Sequence, residues 1–206
     1  MGRLASYLEE LMADPIADII GDYNGFATMQ RDRLVARGID IASYPLSHLA
    51  IRVADWDLYV LQRTLLERHA VANSESVWNG RPISLIVLAE PLEVLDGKQI
   101  SGNELNPPVH QRVNRMGLEH MGVVVGAEFD EFSRAHRDVL TGQQFQSAGV
   151  DPVYILMEDF SHVKFYRRSF FDVVDDVERR IEGFTHVDDW VPQQMVTATG
   201  PNPLPR

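Results

Sequence analysis

Two histidines, His48 and His120, stand 72 positions apart in a chain of 206 residues, each near the start of a strand-like segment. Neutral imidazole is a common ligand for zinc, iron, nickel and copper. Around the first of them, His48-Leu49-Ala50-Ile51-Arg52-Val53 alternates, with Leu49, Ile51 and Val53 on one face and His48, Ala50 and Arg52 on the other. A small residue between a histidine and an arginine suggests a concave interior with room for something polar. One histidine on a strand is most often only a partly exposed side chain. The equivalent place of His120 in the second half is what points to a shared site.

A carboxylate is then needed to offset a metal's charge. Glu104 lies on the Ile100, Gly102, Glu104 face of the last strand of the first half, and a solvent-facing glutamate is the plain alternative in an acidic chain. Its counterpart in the second half falls between His162 and Arg167, where Lys164 and Tyr166 share one face. Tyrosine can ligate iron, whereas a protonated lysine rarely does. His162 has the same parity and is a candidate fourth ligand. Arg52 could pair with Glu104 or clamp a substrate carboxylate with two parallel bonds, and a structural ion pair is the competing reading. Glu119 has the opposite parity to His120, which assigns it to the outer surface or to a place behind the ligand. His69, His110, His136 and His186 fall in helices or loops without partners, and Trp56, Trp78 and Trp190 read as packing residues.

The elements that must position these residues come in one order, used twice. In the first half the strand at His48 is followed by a helix, Trp56 to His69, with Asp55 as its cap and Leu58, Leu61 and Leu65 as its stripe. Three strands follow, Val71 to Val77, Pro82 to Leu88 and Lys98 to Leu105, with Asn79-Gly80 as a hairpin turn and Pro91 to Gly97 as a longer connection. In the second half the strand Glu119 to Val125 precedes a helix from Ala127 to Leu140, with Phe129, Phe132 and Val139 on its apolar side. Strand-like pieces at Phe145 to Val150, Val153 to Glu158 and His162 to Arg167 complete it. Two unlike sequences with one element order suggest an internal duplication. Ahead of both lies a helical lead-in, with Leu4, Leu8 and Leu11 at helical spacing and a second helix from Pro15 to Arg37 ending at Gly38. Ser169 to Phe184 reads as a closing helix, and Val191 to Arg206 as a proline-rich tail.

Composition narrows the function classes. With 45% apolar residues the chain can bury one sizeable core. Thirty acidic residues against 19 basic ones give a formal charge of -11, which disfavours nucleic acid as a partner. There is no cysteine, so disulfides, thiolate zinc sites and cysteine nucleophiles are excluded, and any metal must be held by His, Asp or Glu. No apolar run approaches the ~20 residues of a membrane helix, and the acidic pair Glu9-Glu10 interrupts any signal-like core, so a cytoplasmic protein is the simplest expectation. Phosphate-binding glycine loops, a nucleophile elbow and a His-Glu-x-x-His helix are all missing.

The segments His48-Leu49-Ala50-Ile51-Arg52, Asn79-Gly80-Arg81-Pro82-Ile83, Asn103-Glu104-Leu105, Gly117-Leu118-Glu119-His120 and Val163-Lys164-Phe165 resemble, in order and spacing, the YecM family. That family sits in the vicinal-oxygen-chelate superfamily beside glyoxalase I and the extradiol dioxygenases. The resemblance implies an α+β fold of paired βαβββ modules forming a metal-binding half-barrel with a helical N-terminal extension. The corresponding divisions are 1–46 for the extension, 47–106 and 117–168 for the modules, and 169–206 for a C-terminal helix and tail.

Superfamily ligands come from the first and last strands of each module, which here are His48, Glu104, His120 and the stretch from Lys164 to Tyr166. Where the family places a histidine after its Lys-Phe pair, this chain has Tyr166, which leaves two histidines and one carboxylate as metal ligands. Such a set is that of non-heme Fe(II) oxygenases, with zinc, nickel and manganese enzymes using similar ones. The resemblance therefore implies a divalent-metal-dependent enzyme acting on a small-molecule substrate, with an Fe(II) oxygenase first. A Zn, Ni or Mn isomerase or lyase comes next, and a non-catalytic binding module third. In it Tyr166 and Lys164 would serve as acid/base or positioning groups and Arg52 as an anion clamp. Tyr166 binding the metal and Tyr166 lining an inert cavity are further readings. Half-barrels of this kind often assemble between chains, which leaves a homodimer open.

Overall fold

The computed structural model describes residues 14–78, 80–107, 114–144, 151–172 and 181–187. The lead-in helix is two helices, α1 (Pro15–Ile20) and α2 (Tyr23–Val35), not one. Gly21 takes φ 90° between them, and Asp14 and Asp22 each accept backbone N–H bonds at the following helix start. A positive φ is open to glycine and ends the first helix, so the apolar period alone overran the break. Ile16, Ile20, Phe26 and Leu34 carry both helices into the core. The segment with Leu4, Leu8 and Leu11 lies outside the described residues.

Next come β1 (Leu46–Arg52), α3 (Trp56–Glu67), β2 (Ala70–Trp78), β3 (Arg81–Val94) and β4 (Lys98–Asn106). Then follow β5 (Gly117–Val124), a 3-10 turn, α4 (Phe129–Ala135), β6 (Gly142–Gln143), β7 (Val153–Leu156), β8 (His162–Tyr166) and β9 (Gly183–Thr185). The strands form one sheet in the order β6-β7-β8-β5-β1-β4-β3-β2-β9. Each module thus orders its strands first, fourth, third, second, with the first and fourth parallel. The modules meet edge to edge where β1 runs antiparallel to β5. This is the paired βαβββ arrangement that the sequence implied, in a curled sheet.

Several local expectations need correction. Strand β3 continues through Pro91 to Val94, because an irregularity in its pairing between Val87 and Leu92 absorbs the proline, so there is no connection from Pro91 to Gly97. The turn itself is Leu95-Asp96-Gly97, all three at positive φ. Helix α4 ends at Ala135, short of the expected Leu140, although Phe129 and Phe132 are buried as the pattern required. The closing helix begins at Phe170, but Phe184 belongs to β9, which pairs in parallel with β2. Residues 145–150 and the tail 191–206 lie outside the description.

The stripe of α3 is also rotated. Tyr59 and Leu66 are its buried residues, while Leu61 is 53% exposed and Leu58 and Leu65 are half-buried. Its rotation follows a buried polar cluster on β2 and β3. Tyr59 donates its hydroxyl to Glu75 at 2.8 Å and lies 2.9 Å from Ser84 Oγ, and Arg63 Nη1 donates to the same Glu75 oxygen at 2.7 Å. A buried carboxylate without donors is costly, so the helix turns Tyr59 and Arg63 inward and Leu61 outward. His186, expected to be without a partner, lies with Nε2 2.6 Å from Glu67 Oε1 and helps hold β9 in place. Among the described residues no helix is long and apolar enough to cross a membrane, which says nothing of a β-barrel.

Two outcomes follow from this packing. Leu66→Ala opens a cavity at a fully buried position and lowers unfolding free energy by about 3 kcal/mol, while Leu61→Ala stays within ~0.5 kcal/mol, as chemical denaturation would measure. The second concerns Asp159, which accepts from Ser161, from Arg33 at 3.0 Å and from Arg115, tying the β7–β8 turn to α2. Burial raises its pKa, but these bonds outweigh it and hold the carboxyl at about 2. A depressed folded-state pKa gives stability that is present above the unfolded value near 4 and lost as pH falls toward 2. Between pH 5 and pH 2, Asp159→Asn should therefore lose about 1 kcal/mol less stability than the wild type.

Candidate metal centre

The site is built on the seam between the modules. Across it His48 pairs with Gly122, and Ala50 pairs with His120. The two pairs are the same pair, exchanged by the pseudo-two-fold axis, so each histidine faces a small residue of the other module. On the other side of β1, His48 pairs with Gly102 and Ala50 with Glu104. His48 is therefore flanked by glycine on both neighbouring strands. The space is used: a Cβ built on Gly122 would lie 2.7 Å from His48 Cε1, and one on Gly102 would overlap the ring of Phe170. That ring stands edge-on to His48, with centroids 5.3 Å apart.

The ladder of the seam is irregular at two places, and both matter. Between Leu46 and His48 the register skips Ser47, and between His120 and Leu118 it skips Glu119. These are equivalent positions, each just before a histidine. A bulge re-aims the side chain of its extra residue. Ser47 Oγ comes to 3.0 Å from His48 Nδ1 and also accepts the N–H of Phe170 at 3.1 Å. Glu119 is buried, with Oε2 3.6 Å from His120 Nδ1. Of the two places that parity left open to Glu119, it takes the one behind His120, because the bulge breaks the strict alternation.

The backing residues bear on the tautomers. Burial raises the pKa of Glu119, but His120 and Arg52 prevail and hold it well below the carboxylate range. An ionised carboxylate only accepts, so it favours Nδ1–H on His120 and leaves the Nε2 lone pair pointing away from it. His48 with Nδ1–H donating to Ser47 presents Nε2 in the same way. Both Nε2 atoms converge, 3.3 Å apart. Glu104 Oε2 lies 3.7 Å from His48 Nε2 and 4.0 Å from His120 Nε2. Asn106 Nδ2 donates to the other oxygen, Oε1, at 2.8 Å, which turns Oε2 toward the histidines.

Burial pulls the pKa of His48 down to about 3, with His120 and Lys164 adding to it against Glu104. That of His120 is lowered too, by burial first and then Lys164, against Glu119 and Glu104. Burial raises Glu104, but His120, His48 and Lys164 outweigh it and hold the carboxyl at about 2. The cluster is thus two neutral imidazoles and one carboxylate, a donor set ready for a cation. Ligands at about 2.1 Å from one ion and at right or tetrahedral angles stand roughly 3.0–3.4 Å apart. The histidine pair meets that spacing, and Glu104 must approach by about half an ångström. These residues fit a divalent metal.

The other sequence candidates fall as follows. Arg52 makes a two-pronged pair with Glu119, at 2.7 and 3.0 Å, and donates to the carbonyl of Pro107 at 2.9 Å. Its fork is filled by the protein, and the anion clamp is replaced by an ion pair that backs His120. Lys164 pairs with Gly122 across β5, and Tyr154 pairs with Lys164 on the other side. Tyr166 lies with its ring 5.5 Å from that of His48, and burial, then Glu104, raise its pKa well above the usual phenol value. His162 pairs with His120, but the ring centroids are 6.4 Å apart and no carboxylate–histidine cluster includes it among the described residues. Gly102 is named from sequence only as a small residue on the Glu104 face, and Ser47, Gly122 and Phe170 are not named as site residues at all. Glycine at both neighbours of a strand histidine is a legible signal once the strand order is known, and the bulges are not.

Gly122→Ala tests the seam. The added methyl must displace the His48 ring, so the variant should keep its far-ultraviolet circular dichroism yet bind Co(II) at least tenfold more weakly in equilibrium dialysis. Equal affinity would show that the ring's place over Gly122 is not needed.

A structural-genomics protein designated EC4020 superposes with a TM-score of 0.64 at 25% identity, covering 79% of this chain and 93% of that one. Methylmalonyl-CoA epimerase from Streptomyces coelicolor gives 0.40 at 11% identity, over 59% of this chain and 94% of its own. The fosfomycin resistance protein FosX of Listeria monocytogenes gives 0.26 at 13%, over 64% and 96%, and at such scores neither likeness carries an argument about chemistry. No curated protein matches the sequence. The family described as YecM protein matches residues 15–164, which take in both helices of the lead-in and nearly all of both modules. The chain belongs to the YecM family.

Proposed function

We propose that this chain is a divalent-metal-dependent enzyme of the vicinal-oxygen-chelate type that acts on a small molecule, with Fe(II) as the metal and O2 as co-substrate. The observation that carries the reading is the convergence of His48 Nε2, His120 Nε2 and Glu104 Oε2, all within 4.8 Å of one another and backed on their far sides by Ser47, Glu119 and Asn106. Two histidines and one carboxylate on one side leave positions open for substrate and O2. A bound metal supplies Lewis acidity at a substrate oxygen. The chain's own part is to hold the three donors, keep both imidazoles unprotonated by burial, and shield the His48 side with Phe170. Tyr166, protonated at neutral pH, can donate a hydrogen bond or a proton to a substrate oxygen beside His48.

A second reading, a Zn, Ni or Mn isomerase or lyase, is favoured by one observation: Lys164 and Tyr166 stand on the same strand face, so two proton-carrying groups border the cluster. Metal content separates the two. Protein purified anaerobically without an affinity tag should carry near-stoichiometric iron, lost by more than tenfold in His48→Ala/His120→Ala. Stoichiometric zinc, nickel or manganese would favour the isomerase or lyase. A wild type that holds no metal after incubation with excess ions would leave a metal-free binding module.

A further inference from the structure

The register identifies the fourth corner of the site. In the first module Glu104 faces Ala50 across the parallel β1–β4 pair, and in the second Lys164 faces Gly122 across β5–β8. Ala50 and Gly122 are equivalent, so Lys164 stands where the pseudo-two-fold axis would put a second carboxylate. The duplicated scaffold carries a cation in place of an anion.

Charge makes this substitution consequential. A divalent ion held by two neutral imidazoles and one carboxylate keeps one positive charge, and Lys164 brings a second. Excess charge in a half-buried site is unfavourable unless a counter-ion joins it. No hydrogen bond or ion pair to a described residue engages Lys164, and its side chain remains partly exposed on the face that bears His48, His120 and Glu104. Its charge is close enough to act on all three. The same face of β3 carries Arg81 at its start, close enough for its charge to act on Lys164, and is apolar beyond it. Ile83, Leu85 and Val87 are half-buried on β3, where Leu85 stands directly across from Glu104 and Val87 from Gly102. Tyr154 and Leu156 hold the corresponding places on β7.

Resting on the metal reading above, we propose that Lys164 anchors a carboxylate of the substrate, so that the ligand supplies the second carboxylate the protein lacks. The substrate class is a small 2-oxo or 2-hydroxy acid with an apolar body. Its acid group would be held by the Lys164 ammonium beside His48, His120 and Glu104, a bound metal would supply Lewis acidity to the neighbouring oxygen, and its body would lie along Ile83, Leu85 and Val87.

The test uses Co(II)-loaded full-length protein and oxalate, with butane-2,3-dione as an uncharged pair of neighbouring oxygens. Co(II) affinity is measured first, without oxalate. Lys164→Met should hold Co(II) within threefold of wild type or more tightly, yet bind oxalate at least tenfold more weakly by calorimetry. Its affinity for the dione should stay within threefold. Lys164→Glu, which restores the missing carboxylate, should bind Co(II) at least tenfold more tightly and lose oxalate. Lys164→Gln serves as a second neutral variant where folding of either is impaired. Oxalate binding unchanged in the neutral variants while Co(II) is retained would overturn the proposal and leave the metal site standing. A wild type that binds Co(II) but not oxalate would overturn it in the same way. A wild type that binds no Co(II) would overturn both readings, and is seen before oxalate is added.

Discussion

The antiparallel seam of β1 and β5 is the constraint on which the molecule turns. It is one ladder of backbone hydrogen bonds, yet it joins two modules that would otherwise share no strand neighbours. Because its register matches equivalent residues crosswise, it brings His48 and His120 side by side without any loop having to position them. Glu104 follows because β4 is parallel to β1 and in register with it. A site on strands is held by the packing of the whole sheet, which is stiffer than a loop.

The two bulges show how a regular sheet is adapted to orient two buried histidines. Strict alternation would send Ser47 and Glu119 to the face opposite the histidines, where helices cover the sheet. The extra residue in each strand places them beside the Nδ1 atoms instead. The pairings differ in strength. Serine offers His48 a neutral oxygen, while Glu119 offers His120 an ionised one, itself held by Arg52. His120 is thereby the more basic donor of the two. The ion pair of Arg52 and Glu119 is buried on both sides, so each charge needs the other, and losing either would strand its partner.

Much of this was legible in the sequence. The period-two pattern at His48 and its echo at His120 were enough for the strands, while the shared order of elements suggested the duplication and the family resemblance implied the paired modules. Parity made Glu104 a candidate, and the resemblance to the YecM family is what implied that it joins the two histidines. What was not legible depended on non-local facts. Leu61 looked like a core residue because the apolar stripe of α3 was read without knowing that Glu75 lies beneath and draws in Tyr59 and Arg63. Gly21 looked like an interior helix residue because nothing local demands its positive φ. For Arg52 a structural ion pair was one of the two readings, but its partner was taken as Glu104, because only the bulge brings Glu119 within reach. Each miss traces to a cross-strand contact or a ladder irregularity that no window of neighbouring residues contains.

The crosswise register of the seam also bears on how the two halves can change over generations. Elsewhere the modules differ in length: α3 spans Trp56–Glu67 while α4 spans Phe129–Ala135, and β3 runs to 14 residues where its counterpart β7 has 4. At the seam that latitude is absent. An insertion or deletion in β1 slides His48 past Gly122 and at the same stroke slides Ala50 past His120, so an error in one copy is felt in both. The seam is the stretch where a duplicated chain remains, for the purposes of selection, a single gene segment.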